Sequence, residues 1–252
     1  MNFDAIKELL YRLADDDLIM GHRNSEWTGL GPILEEDIAF SSMAQDAVGH
    51  AQAYYIILHQ LLQEPAPDTI AFARHHSEFR SCHLVEHPIG GYAFSLVRHA
   101  LYDTAKSIRL EALSNSSFRP LSNLAQKIGR EQRYHQLHAE TWLRQLGNST
   151  QEAKTRLQNG LNEAYPLAFS LFEPTLYHDA MVDTGLQISE AELEAQWMEK
   201  VQALVLASGL QLPEIEDKTV AYGGRYGKHT AFLPPMLEEM TEVFVIDPQA
   251  TW

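Results

Sequence analysis

The chain is predicted to fold as an all-α protein, and three observations predict it. Apolar residues recur at spacings of three and four through most of the sequence. Pro32, Pro65, Pro67, Pro88 and Pro120 fall between these stretches or at their starts. No run alternates apolar and polar residues for long enough to make a convincing strand. The first helix covers about 3 to 24, with Ile6, Leu9, Leu10, Leu13 and Met20 along one side. Pro32 can open a second helix, which runs to about 63, before Pro65 and Pro67 stop it. A shorter helical piece near 68–80 and a loop over 81–91, with Pro88, Gly90 and Gly91, lead to a long helix over about 92–114. Pro120 sits where the next helix begins. It ends at Leu146-Gly147-Asn148, where glycine suits a left-handed cap. Ser149-x-x-Glu152 and Ser189-x-x-Glu192 fit the capping box, the second with Ile188 and Leu193 placed as a hydrophobic staple. Residues 209–228 read as a loop, and a final helix near 229–245 contains Pro234 and Pro235. One helical domain spanning 1–252 is expected.

Composition narrows the function classes. Of 252 residues, 45% are hydrophobic, enough for a substantial core. A net charge of −15 repels phosphate backbones and anionic lipid, which argues against nucleic-acid and membrane partners. The single cysteine, Cys82, excludes a disulfide framework and a thiolate metal site. No apolar run approaches the roughly 20 residues of a membrane span, and the acidic start is not that of a signal peptide. A cytoplasmic protein is expected.

The chemistry-bearing residues form two couples, Asp46-Ala-Val-Gly-His50 and Glu131-Gln-Arg-Tyr-His135, each on a long helix. Di-metal carboxylate bundles of the ferritin-like type take one carboxylate from each of two helices and a Glu-x-x-His from each of the other two. Three residues before His50 stands Ala47, and three before His135 stands Gln132, so both expected glutamates are missing. An acid stands one residue earlier in each case, Asp46 and Glu131. Asp103 on the 92–114 helix and one of Asp15, Asp16 and Asp17 on the first are candidates for the side carboxylates. Stripes of apolar neighbours, Met43, Tyr54 and Ile57 on one helix and Ile128 and Trp142 on the other, place these polar groups in the interior. Three readings stay open: a polar core without metal, a live di-iron site, and an altered single-metal site.

Other features carry weaker signals. The loop Tyr222-Gly-Gly-Arg-Tyr-Gly-Lys-His229 is basic and glycine-rich, so Arg225, Lys228 and His229 are candidates for contact with a partner or with a phosphate group. The bland alternative is a connection with solvated charges. His75-His76, His83 and His87 read as surface histidines. Mid-helix Gly49 suggests a close helix approach, and Trp27 and Trp142 read as core or interface anchors.

Segments along nearly the whole chain resemble the structural, non-catalytic ferritin-like subunit of the phenylacetyl-CoA epoxidase complex. They are Arg12-Leu-Ala-Asp-Asp with Glu26-Trp27, Leu34-Glu-Glu-Asp-Ile-Ala, and Glu131-x-Arg-Tyr-His135. Also among them are Trp142-Leu-Arg-Gln-Leu-Gly-Asn-Ser-Thr150, Gly223-Gly-Arg-Tyr-Gly-Lys-His229 and Pro235-Met-Leu-Glu-Glu-Met240. The resemblance implies a four-helix bundle with additional C-terminal helices and no metal or other cofactor of its own. It implies a partner, a homologous di-iron catalytic subunit that epoxidises the ring of phenylacetyl-CoA, with a separate reductase supplying electrons. Asp15, Asp16, Asp46, His50, Asp103, Glu131 and His135 would then be the core of a degenerate metal site. His50 departs from the pattern by keeping a metal-capable side chain where such subunits often do not. Two rivals belong to other classes: a self-sufficient di-metal oxygenase or oxidase with a shifted ligand set, and a binding protein recruited to an unrelated pathway.

Overall fold

The structure is a computed structural model, and it describes residues 2–248. Among the described residues there are ten α-helices, several short 3-10 turns and no strand. α1 (Phe3–Ser25) opens on Asn2, whose side chain accepts a hydrogen bond from Ala5 N at 3.1 Å. α2 (Leu34–Leu62) begins beyond Pro32 and ends at Gln63, which turns left-handed with φ 60°. α1 and α2 run antiparallel, since Asp15 meets Tyr55 while Gly21 lies against Ala44 and Val48.

Residues 63–91 then cross the length of the bundle through α3 (Pro67–Phe72), a 3-10 turn at His76–Glu78 and α4 (His83–Glu86). The helix expected over 68–80 is broken because Arg74 leaves the helical path to reach Asp15, while the His75 side chain caps the following turn. α5 (Tyr92–Leu113) and α6 (Arg119–Gly147) form the second antiparallel pair. One long crossover between two hairpins is the connectivity of a ferritin-like bundle.

α7 (Gln151–Ala168), α8 (His178–Asp183) and α9 (Glu190–Ala207) follow, and α7 and α9 pack on the outside of α5. Trp197 of α9 is fully buried, stacks 5.6 Å from Tyr165 and donates its indole N–H to Leu101 O at 3.0 Å. Covered on both sides, α5 is buried continuously from Phe94 to Ala105. α10 (Leu233–Thr241) is shorter than the helix expected over 229–245, which starts only at the proline pair.

Three local expectations change. α6 runs through Gly147 and ends at Asn148 with φ −103°, so no left-handed cap forms there. Thr150, not Ser149, caps α7, accepting from Ala153 N at 3.2 Å; Ser149 turns back to donate to the orphan Leu146 carbonyl of α6. Ser189 does cap α9, at 3.1 Å from Glu192 N. Gly49 is exposed, with nothing within 4 Å of a Cβ placed there, so it marks no close approach inside the chain. That role belongs to Gly21, where a Cβ would lie 2.8 Å from Val48 Cγ2. Trp27 is a core residue and Trp142 is half-buried against the main core. Among the described residues no helix is long and apolar enough to cross a membrane.

Candidate functional site

The four long helices bring polar side chains together at mid-bundle. α2 and α6 are joined by two crossed couples: His50 Nε2 lies 2.8 Å from Glu131 Oε2, and His135 Nε2 lies 3.0 Å from Asp46 Oδ2. Each acid pairs with the histidine of the other motif, as antiparallel helices require of two equal four-residue steps. Towards the start of α2, His138 Nε2 contacts both oxygens of Glu36 at 3.0 Å, and Tyr92 donates to the same carboxylate at 2.7 Å.

The histidines are buried, but the acids sit at the rim, with Asp46 38% and Glu131 43% exposed at the side chain. The expectation that all four face the interior fails for a geometric reason. Adjacent helical positions are about 100° apart, so moving an acid one residue rotates it from the interior to the edge. Interior positions are taken instead by Ala47 and by Gln132, which is 1% exposed. The Gln132 amide donates to Asp103 Oδ1 at 2.8 Å, and its carbonyl oxygen is buried without a partner.

On the α1–α5 side, one of three consecutive acids reaches this centre. Asp17 Oδ1 accepts from Lys106 Nζ at 2.5 Å and from Tyr102 OH at 2.8 Å. Asp15 and Asp16, expected in the cluster, point elsewhere. Asp15 binds Arg74, Tyr55 and Arg80 N, while Asp16 binds Arg225 and Cys82 N. Asp103 lies between Gln132 and His99, whose other ring nitrogen is 2.8 Å from Asn24 Oδ1.

Lys106, one helical turn beyond Asp103, joins the two halves, because its Nζ also lies 3.0 Å from His50 Nδ1. An ammonium donates there, so neutral His50 carries its proton on Nε2 and donates to Glu131. Burial, with Lys106 and His135 adding to it, pushes the His50 pKa down to about 2. Burial raises Asp17 above the usual carboxylate range against the opposing pull of Lys106. For Asp103 burial acts upward, but His99 and Gln132 outweigh it and hold the carboxyl low.

A di-metal centre does not fit this arrangement. Among the described residues no group of three or more His, Cys, Asp or Glu side chains is gathered so as to hold a metal ion. The methyl of Ala47 and the carboxamide of Gln132 stand where bridging carboxylates are needed, and an ammonium already lies between Asp17 and His50. The reading from sequence missed Lys106, whose signal was its three-residue step from Asp103 onto the same face.

The basic loop lies mostly inside. Arg225 forms a two-pronged pair with Asp16 at 2.8 Å each and reaches Arg80 O, and its residue is 3% exposed. His229 binds Glu86 at 2.7 Å, and Glu173 accepts from Gly223 N and Arg225 N. Of the three candidates for outside contact, Lys228 alone is exposed. His83 contacts Lys228 O and His87 packs on Phe232, so both are half-buried rather than free on the surface.

The crossover between two hairpins, with carboxylates and imidazoles converging at mid-bundle, defines the class: a ferritin-like helical bundle. The family model described as phenylacetic acid catabolic protein matches residues 2–252, and the chain belongs to that family. It is similar to the C subunit of the 1,2-phenylacetyl-CoA epoxidase of Escherichia coli (strain K12), with 30% identity over 241 residues covering 96% of each chain.

Proposed function

We propose that the chain is a non-catalytic, structural subunit of a multicomponent phenylacetyl-CoA epoxidase. It pairs with the di-iron catalytic subunit and stabilises it in aerobic phenylacetate degradation. The observation that carries this reading is the pair Ala47 and Gln132, both buried where a working centre needs bridging carboxylates. The similarity to the C subunit of the Escherichia coli epoxidase supports membership in a complex of several subunits. Asp17, Asp46, His50, Asp103, Glu131 and His135 are then the remainder of a degenerate site, with Asp15 and Asp16 serving the fold instead. The chain works as one domain in the cytoplasm, brings no cofactor, and depends on partners for electrons and chemistry. Lys228 is the loop residue left for contact with a partner or with phenylacetyl-CoA.

Mixing the chain with a catalytic homologue at micromolar concentration should give one hetero-oligomer on size exclusion, with an obligate interface on the order of 2,000 Å² or more. Two separate peaks overturn the pairing. Reductant- and oxygen-dependent turnover by this chain alone, after metal loading, overturns the non-catalytic role and favours a self-sufficient oxygenase.

A further inference from the structure

We infer that the outer face of α2 and α6 is a docking surface for a partner protein that lays an apolar ridge with acidic flanks along the seam between the two helices. The inference deepens the pairing proposed above and rests on it, the partner being the catalytic subunit. The first observation behind it is that the face is apolar. Leu34, Ile38 and Ile56 of α2 and Tyr134 and Leu137 of α6 are between 36% and 70% exposed. From Ile38 to Gln60, α2 holds a single Asp, Glu, Lys or Arg, which is Asp46, in a chain of which 21% is charged. The solvent face of a surface helix is normally where its charges gather, and here they are missing over about six turns.

The second observation is the sign of the charge that remains. The chain is net −15, yet Lys127 and Arg130 follow the same side of α6 as Tyr134 and Leu137, at steps of three and four. Both are exposed, and among the described residues neither is in an ion pair. The two acids at the seam, Asp46 and Glu131, are already held by His135 and His50. An acidic partner therefore finds two cations without competitors and strips water from no unpaired carboxylate. A second copy of this chain is a poor occupant, because a two-fold pair brings the same cations to the same seam. The third observation is area. α2 and α6 have 29 residues each, about 43 Å at a rise of about 1.5 Å per residue, and two helices side by side are about 20 Å across. Their flat projection is on the order of 800 Å², the share that each partner gives to a standard stable interface.

The test titrates the full chain into the catalytic homologue by calorimetry, with circular dichroism and Tm as controls for folding. Leu137→Glu and Ile38→Glu should each raise Kd about a hundredfold or more. The double variant Lys127→Glu, Arg130→Glu should raise it about tenfold or more in low salt, and by less in about 0.5 M salt. Leu206→Glu, at a position 76% exposed on α9, should leave Kd unchanged. These three variants of the face are exposed and should fold as the wild type does; if one does not, the other two decide. A wild type that pairs while every face variant pairs equally well overturns the docking surface and leaves the pairing standing. A wild type that does not pair overturns both. Loss in the apolar variants alone overturns the acidic character of the partner. A wild type that dimerises with itself, and that Leu137→Glu makes monomeric, shows a second copy as the occupant and overturns the inference.

Discussion

Glu190 and Asp17 are both carboxylates sunk in the same bundle, yet their surroundings differ in kind. Glu190 is enclosed by donors: Arg12 at 2.5 Å, Arg109 on both oxygens at 2.9 and 2.7 Å, and Gln187 at 2.6 Å. Burial acts to raise its pKa, but the two guanidinium groups outweigh burial and hold it far below the carboxylate range. Around Asp17 the network is open-ended. It runs through Lys106 and His50 to Glu131 at the rim, and beside it Gln132 keeps a buried carbonyl without a partner. Most buried polar atoms in a folded protein are partnered, so the unpartnered Gln132 carbonyl marks the Asp17 network as the less complete of the two. The number of buried charges does not separate the two, whereas the completeness of their partners does.

That contrast makes quantitative demands. The largest effect should come from Glu190→Ala, which strands Arg12 and Arg109 in the core and should cost about 3–5 kcal/mol in urea denaturation. A loss below about 1 kcal/mol would erase the distinction between the two clusters.

The next effect lies in pH. His50 is held near 2 in the folded chain, against an ordinary value of about 6.5 when unfolded. Its contribution is present above about 6.5. It is lost as pH falls toward 2, because only the unfolded chain takes up the proton, at up to about 1.4 kcal/mol per pH unit. Between pH 6.5 and 5, His50→Gln should therefore lose about 1–2 kcal/mol less stability than the wild type. Equal losses would mean that the imidazole accepts a proton in place.

Packing and rim effects probe how tightly each side is closed. Gly49→Ala, on the exposed face of α2, should stabilise by up to about 1 kcal/mol. Gly21→Ala, against Val48, should destabilise by about 1–3 kcal/mol through overpacking; Tm values with the same sign would remove the difference in closure. Glu131→Gln should change stability by less than about 1 kcal/mol, because the couple stands half in water. A loss comparable with Glu190→Ala would make the seam a second closed cluster.

The long helices were legible because a 3.6-residue period survives for twenty residues or more in α1, α2, α5 and α6. The missing glutamates were legible too, since a ligand motif is a local spacing. The bearing of Asp15, Asp16 and Asp17 was not: three successive acids point about 100° apart, and only their distant partners decide which one faces the centre. Arg225 misled for the same reason. A glycine-rich basic loop reads as a contact for a partner or a phosphate until Asp16, far away in sequence, is seen to receive its arginine. Gly49 misled in the opposite direction, because a mid-helix glycine need not have a neighbour at all.

The pair between Asp16 and Arg225 has a consequence for the making of the molecule. The contact joins residues 209 positions apart, so during synthesis α1 emerges with a carboxylate whose counter-ion follows only much later. Until residue 225 clears the ribosome, the N-terminal hairpin cannot close completely around Asp16. A chain cut short before that arginine leaves the Asp16 carboxylate of the first helix without its counter-ion.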